Sequence, residues 1–356
     1  MKGMEKMRRK LRVAIVGCGR ISASYEDAFR KLADRIDVKY AVDLDKEKAH
    51  KFAEKFCAKP LTNYKILLGE QLDVVHLCLP HYMHSILAVE FLDAGINVLT
   101  EKPIAITLQE ADQMIEAAER TGAKLGVVFQ TRYTKSAVYL KKLIQEGQLG
   151  KLLYAKSLLT WNRTYSYYDS SDWKGTWDKE GGGVLIDQAI HSIDRVRYLI
   201  GEDVKSIYGS VANLSHPQIG VEDSAIANIE FVSGVSYTLS AFNSYGENSP
   251  ITIEIIGEKG KCGFIQDMGW FEIDGNYMEI RNTFEGGSVT PSYWGHSHYI
   301  QLEAFYRSVL EGGNVEIDGM EGRKTLEIVK GIYKSSKERR RIQIPFEDEH
   351  YRILPV

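Results

Sequence analysis

From Leu11 to Arg132, short runs of aliphatic and β-branched residues alternate with longer segments in which apolar positions recur at helical spacing. The runs at 11–16, 38–42, 74–79, 97–100 and 124–129 are nearly continuous in apolar residues, as parallel strands covered on both faces are. The intervening segments 21–32, 46–56, 85–94 and 108–120 predict amphipathic helices. Thr107 predicts an N-cap for the last of these, with Glu110 completing a capping box and Gly122 closing the helix. Strict alternation of strand and helix predicts right-handed crossovers and an open parallel sheet. After Thr134 the pattern changes. A helix over 137–146 stops at Gly147, and strands then follow one another directly at 152–161, 204–213, 223–231, 235–242, 251–256 and 261–265. Ser233-Gly234 and the stretch from Gly257 to Gly260 mark tight hairpin turns. Helices return over 182–199, 298–310 and 320–334. The expected architecture is an α/β Rossmann domain with a parallel sheet over 1–133, followed over 134–356 by an α+β domain with a large open, mainly antiparallel sheet.

Composition narrows the class of function without identifying it. The hydrophobic fraction of 44% and charged fraction of 26% suit a packed globular enzyme and exclude disordered or fibrous chains. Lys plus Arg number 45 against 48 for Asp plus Glu, a net charge of −3, so no basic excess exists for a nucleic-acid backbone or an anionic membrane. The basic residues 1–10 precede an apolar stretch only from Val13 to Val16, too short for a signal peptide. No apolar run approaches the roughly eighteen residues of a membrane span. Cys18, Cys57, Cys78 and Cys262 form no C-x-x-C pair, and a reducing, cytoplasmic compartment is expected.

Gly17-Cys18-Gly19-Arg20-Ile21-Ser22 follows the first strand and opens the first helix. Two glycines there permit a tight turn and close approach of a pyrophosphate to backbone N–H groups at a helix N-terminus. Ser22 stands where the full G-x-G-x-x-G pattern has Gly or Ala. Asp43, at the end of the second strand, is placed to accept hydrogen bonds from an adenosine ribose and to repel a 2′-phosphate, which favours NAD over NADP. Asp43 also suits an N-cap for the helix beginning at Lys46, and Lys46 itself keeps NADP open.

Lys102, in Thr100-Glu101-Lys102-Pro103, sits at the carboxyl end of the fifth predicted strand, the edge that forms the ligand crevice in open α/β sheets. An ammonium held there can stabilise alkoxide character as a hydride leaves; a solvated surface lysine is the bland alternative. Asp187 and His191 are four apart in a predicted helix, hence on one face, and a carboxylate beside an imidazole orients the ring for proton transfer. The preceding Gly181-Gly182-Gly183 would let a substrate approach the helix start. Two metal ligands would show the same spacing, but no third is near in sequence and Lys102 opposes a cation, so no metal is expected.

These motifs together resemble the glucose-fructose oxidoreductase and inositol dehydrogenase family (Gfo/Idh/MocA). The two-glycine turn, Leu79-Pro80-His81-Tyr82-Met83-His84, Glu101-Lys102-Pro103 and the Asp187 to His191 segment stand in the family's order and spacing over essentially the full chain. The resemblance implies NAD(P), oxidation or reduction of a sugar or cyclitol carbon, Lys102 and His191 as catalytic residues with Asp187 as partner carboxylate, and a homodimer or homotetramer built on the open sheet. It places Leu79, Pro80, His84, Glu101 and Lys102 against the cofactor together with Gly17, Gly19, Arg20, Ile21 and Asp43. His81 stands where family members often carry Asn. Gln130 and Arg132 fall where the cofactor edge and the domain junction meet, as ligand contacts or as anchors of that junction.

The segment from Trp161 to Trp177 is dense in aromatics and poor in aliphatics, which suits rings facing a polyhydroxylated ligand. Trp161, Arg163, Trp173 and Trp177 are its candidate substrate contacts, with packing against the sheet the alternative for any single ring. Trp173-Lys174-Gly175-Thr176-Trp177 is similar to the family's nucleotide-sugar 3-dehydrogenases, whereas Asp187 follows the inositol dehydrogenase pattern; Arg163 or Lys174 would hold a nucleotide diphosphate. His296 and His298 suggest a helix cap or a cleft-lining pair. The expected activity is an NAD-dependent dehydrogenase oxidising a secondary hydroxyl of a sugar, nucleotide sugar or cyclitol. The alternatives are an NAD-dependent glycoside hydrolase using transient C3 oxidation and a non-catalytic NAD or sugar sensor.

Overall fold

The computed structural model describes residues 9–282 and 297–347; the basic leader up to residue 8 and His296 lie outside the described residues. The first sheet is built from β1 (Leu11–Val16), α1 (Ser22–Lys31), β2 (Ile36–Val42), α2 (Lys46–Ala53), β3 (Lys59–Leu61), β4 (Val74–Leu77), α3 (Met83–Asp93), β5 (Asn97–Thr100), α4 (Leu108–Thr121) and β6 (Leu125–Val127). Its strands run in the order β3-β2-β1-β4-β5-β6, all parallel. The order reverses between β1 and β4, which opens a crevice beyond their carboxyl ends. The Thr107–Glu110 capping box forms as the spacing predicts, with Gly122 left-handed behind α4. The hydrophobic pattern misses β3, a three-residue edge strand containing Pro60, because so short an element has no periodicity to read.

The chain continues through α5 (Lys135–Gln145), β7 (Leu152–Thr160), α6 (Tyr165–Asp169), a π-helical turn (Leu185–Ala189), α7 (Ile190–Ile200), β8 (Val204–Ala212), β9 (Ser224–Phe231), β10 (Ser236–Phe242), β11 (Thr252–Gly257), β12 (Gly260–Ile265), β13 (Met268–Ile273), β14 (Asn276–Ile280), α8 (His298–Glu311), α9 (Gly319–Glu338) and β15 (Ile342–Gln343). Nine strands form one sheet in the order β14-β13-β12-β11-β7-β10-β9-β8-β15. Its pairs are antiparallel except β7 with β10. Ala155, Leu159, Leu239 and Ile229 share one buried core with side chains of α5, α7 and α9. In register on the opposite face, Leu158, Ser240 and Ile226 lie side by side, with Tyr208 two residues along from Ser210, and the three large side chains are exposed.

All strands of the first sheet precede residue 134 and all those of the second follow it, yet the first unit is not one continuous stretch. Leu302, Phe305 and Tyr306 of α8 pack with Val13, Ile15, Tyr25 and Phe29. Tyr306 bonds His76 Nε2 at 2.8 Å, and the Gln301 amide bridges the Val127 carbonyl and the Phe129 N–H. A helix from the far end of the chain therefore completes the first core.

The junction is held by a buried ionic network, which decides between the two roles open to Arg132. Its guanidinium grips Asp194 of α7 at 2.8 and 2.5 Å and Glu321 of α9 at 2.8 Å. Arg197 meets the same Glu321 at 2.6 Å, and Thr325 donates to Asp194 at 3.0 Å. Arg132 is an anchor. Removing one member of a buried pair leaves the other charge uncompensated, so Arg132→Met should destabilise the fold by about 3–5 kcal/mol. The measurement is urea unfolding, with the midpoint lowered at an unchanged slope; an unmoved midpoint contradicts this role.

Candidate active site

The turn after β1 is shaped by what its glycines touch. Gly17 has φ +97°, and a Cβ there would lie 2.2 Å from the Cys78 carbonyl oxygen, so only glycine lets this turn pack on the loop after β4. A Cβ on Gly19 would meet nothing within 4 Å, so this position borders open space. The departure at Ser22 has a local reason: its hydroxyl donates to the Gly19 carbonyl at 2.6 Å and ties the turn to α1. Ile21 is the N-cap of α1 and makes no side-chain cap bond; the N-terminus beside it favours an anion. Arg20 is exposed next to it.

Asp43 accepts the Cys18 N–H at 2.8 Å and the Asp45 N–H at 2.9 Å. The cap of α2 is Asp45, which accepts from Glu47 and Lys48. Asp43 thus serves the glycine turn rather than the helix. Beside it Leu44 is 94% exposed, an apolar face at the mouth of the crevice that hydrophobic periodicity does not single out.

Leu79 and Pro80 form the loop that abuts Gly17, but two expected cofactor contacts turn inward. His84 is fully buried, its Nδ1 2.7 Å from the Pro103 carbonyl and its Nε2 3.0 Å from that of Leu79. Burial lowers its pKa to about 4 against the pull of these two carbonyls; the neutral ring, with a single N–H, donates to one of them and packs between both loops. Glu101 is buried and accepts the Tyr25 hydroxyl at 3.0 Å; burial raises it to about 7 against the opposing pull of Lys102. Both side chains are drawn into the core because loops this close must satisfy their own carbonyls and hydroxyls first. Gln130 is buried at the head of the short helical turn after β6.

Lys102 reaches across to the second domain. Its Nζ donates to the Asp187 carbonyl oxygen at 2.7 Å and to Asp187 Oδ1 at 3.1 Å. The other carboxylate oxygen accepts the Tyr167 hydroxyl at 2.5 Å and the Gln188 amide at 2.6 Å. Burial opposes ionisation of Asp187, yet Lys102, Lys174, His81 and the Tyr167 hydroxyl together hold it well below the usual carboxylate range.

The four-residue spacing predicts Asp187 oriented on His191, and here the structure differs. No hydrogen bond to the His191 side chain is present among the described residues, and its Nδ1 is buried without a partner there. An ammonium and a phenol are stronger claimants on a carboxylate than a neutral imidazole. Asp187 also lies in the π turn, an irregularity common at functional sites. Its charge still reaches His191 through space, but burial, then Lys102 and Arg195, push the imidazole well below 6.5.

The glycine triplet also has a different task from substrate access. A Cβ on Gly182 would sit 2.0 Å from the Tyr333 hydroxyl, and one on Gly183 1.9 Å from the Glu222 carbonyl oxygen. Glu222 accepts the Gly183 and Leu185 N–H groups at 2.8 and 3.0 Å and the Tyr333 hydroxyl at 2.8 Å, capping the π turn that carries Asp187. Burial raises Glu222 to about 7.

The aromatic segment divides in two. Trp161 is buried, donates to the Ser249 carbonyl at 3.1 Å and lies under the Arg163 guanidinium at 4.5 Å. Trp177 donates to the Gly220 carbonyl at 2.5 Å and meets Tyr333 edge-on at 5.0 Å. These two rings pack the loop. Trp173 instead lies 4.8 Å from His81, whose Nδ1 is 2.8 Å from the Glu180 carbonyl oxygen. Tyr167, Gln188, Glu180 and Glu222 belong to this site but stand out by no motif; a tyrosine in a tyrosine-rich stretch carries no mark of the carboxylate it will meet.

Residues 11–129 match the model of an oxidoreductase family with an NAD-binding Rossmann fold, and residues 137–262 match that of the GFO/IDH/MocA C-terminal domain. The chain belongs to the Gfo/Idh/MocA family. Its relatives include the D-glucoside 3-dehydrogenase of Escherichia coli, 26% identical over 94% of this chain and 97% of the relative. The myo-inositol 2-dehydrogenase of Thermotoga maritima is 23% identical over 94% and 98%. Among solved structures, the WlbA dehydrogenase from Bordetella pertussis in complex with NADH and UDP-GlcNAcA superposes with a TM-score of 0.83 at 27% identity, covering 95% of this chain and 100% of that one. Within this Gfo/Idh/MocA chain the glycine triplet is a packing requirement. Gly182→Ala should therefore lose about 1–3 kcal/mol in thermal unfolding; an unchanged Tm would return the triplet to substrate access.

Proposed function

We propose that the protein oxidises a secondary hydroxyl of a sugar, nucleotide sugar or cyclitol with NAD, and catalyses the reverse ketone reduction. The observation that carries this reading is the meeting of Lys102 and Asp187 across the crevice, beside a glycine turn with open space at Gly19. The residues fit a dinucleotide. Gly19 and the N-terminus of α1 would receive the pyrophosphate, each Asp43 oxygen has accepting capacity beyond the one N–H it holds, and Leu44 would cover the adenine. A carboxylate at Asp43 disfavours a 2′-phosphate, so NAD is preferred over NADP. Bound NAD supplies the hydride acceptor.

The protein's own groups handle the proton. Lys102 uses two of its three N–H donors on Asp187, leaving one for the substrate oxygen, where positive charge stabilises the alkoxide. His191 is neutral and takes the hydroxyl proton; the nearby charge of Asp187 then favours the imidazolium. Tyr167 and Gln188 keep the Asp187 carboxylate aimed at Lys102. The dehydrogenases among the relatives favour net oxidation over the hydrolytic and sensor readings. Four free cysteines, with Cys57 exposed, support a cytoplasmic setting. Leu158, Ile226 and Tyr208, exposed on the sheet face opposite α5, α7 and α9, support self-association as a homodimer or homotetramer.

NADH absorbance should rise on a panel of sugars, inositols and nucleotide sugars, and Lys102→Ala should lower kcat about 10²–10³-fold. Full turnover in that variant excludes the mechanism. Because the folded His191 pKa lies well below 6.5, the base stays competent as pH falls through that value. The acid limb of kcat/KM should therefore lie below pH 6.5, and a limb above it would remove His191 as base. Light scattering should give a dimer or tetramer that Ile226→Glu dissociates; a wild-type monomer refutes the assembly.

A further inference from the structure

Lys174 is a cation of the site that the mechanism does not use. It lies in the loop between α6 and the π turn, half-buried, with Nζ 3.5 Å from the Tyr167 ring centroid and 5.5 Å from that of Trp173. Among the described residues its Nζ has ring faces for company but neither a hydrogen-bond acceptor nor an ion pair. Ring faces hold an ammonium without consuming its three donors. The two carboxylates whose charge reaches it are engaged elsewhere. Asp187 is taken by Lys102, Tyr167 and Gln188. Glu180 accepts the Gly175 N–H at 2.5 Å, and burial together with the Asp187 charge favours its neutral form.

The charge count in the pocket is then unbalanced. Lys102 and Lys174 face one ionised carboxylate, Asp187. Arg20 adds positive potential at Lys174, and Arg163 sits 5.1 Å from the same Tyr167 ring. Holding an ammonium partly out of water beside other cations is costly, which lowers the Lys174 pKa and gives the site a preference for anions. Neutral sugar hydroxyls would satisfy its hydrogen bonds but not the surplus charge.

We propose that the physiological substrate carries an oxyanion, a carboxylate or a phosphate, close to the carbon that is oxidised, and that Lys174 is the residue that selects it. Tyr167 sets the distance: its hydroxyl is on the Asp187 carboxylate that holds Lys102 while its ring carries the Lys174 ammonium, so the oxyanion lies about one ring away from the reacting centre. This inference rests on the sugar or cyclitol dehydrogenase reading above, and deepens it by fixing the charge of the substrate.

The test uses the full chain loaded with NADH and calorimetric titration, which needs no turnover. Matched sets are compared: glucose, glucuronate and glucose 6-phosphate, then galactose, galacturonate and galactose 6-phosphate. At least one charged member should bind about 10–100-fold more tightly than its neutral parent, the gain of a charge-assisted hydrogen bond. The carboxylate and phosphate arms identify which oxyanion is taken. In Lys174→Met that ratio should collapse toward one, and Lys174→Arg should restore much of it; retained NADH binding in both variants shows that they are folded. A wild-type ratio near one in every set, no binding of any charged member, or an unchanged ratio in Lys174→Met overturns the proposal. A preference for charged ligands without NADH turnover on any substrate would uphold the subsite and refute the dehydrogenase reading, whereas turnover of neutral sugars with no preference would do the reverse.

Discussion

The contact between the Lys102 ammonium and Asp187 is what the rest of this structure is arranged to permit. One partner lies two residues beyond the fifth strand of a parallel sheet; the other lies in an irregular turn of the second domain. Bringing two charges together out of water is favourable only when their remaining donors and acceptors are also met. Asp187 satisfies that condition through Tyr167 and Gln188, and Gln188 is itself held by Asn243. Lys102 keeps one N–H donor beyond the two it gives to Asp187.

Holding the pair in place requires rigid supports on both sides. On the first domain, Gly17 seats the turn on Cys78 while His84 clamps the loops at Leu79 and Pro103. On the second, Glu222 and Tyr333 fix the backbone at Gly183 and Leu185. Between them, Arg132, Asp194, Arg197 and Glu321 lock the start of the second domain to α7 and α9. The packing of α8 on the first core ties the far end of the chain to the same frame. A crevice with walls so constrained can hold substrate and cofactor in a reactive geometry with little reorganisation.

The aromatic loop divides between packing and contacts with Lys174. Trp161 and Trp177 spend their indole N–H groups on backbone carbonyls and pack, whereas Tyr167 and Trp173 offer their faces to Lys174 beside Asp187. Adjacent residues of similar composition thus divide between scaffold and site according to which backbone groups lie within reach.

Alternation of apolar runs with amphipathic segments was enough to determine the parallel sheet, its crossovers and the change of architecture near Thr134, because burial on one or both faces imposes a period on the chain. The glycine turn and Lys102 were legible for a related reason, each sitting where a strand boundary places it, whereas Asp187 stood out by its four-residue spacing from His191. Short or polar elements such as β3, β14 and β15 were not legible, since their stability comes from neighbours and not from a pattern of their own. Nor was the partner of any side chain. That Asp187 answers to Lys102 and Tyr167 and not to His191, that Glu101 and His84 turn inward, and that the Lys174 ammonium lies over the Tyr167 ring depend on how the fold brings these segments together. Sequence specifies periodicity and residue chemistry; which acceptor a donor reaches is settled by competition within the folded core, and only the tertiary structure decides it.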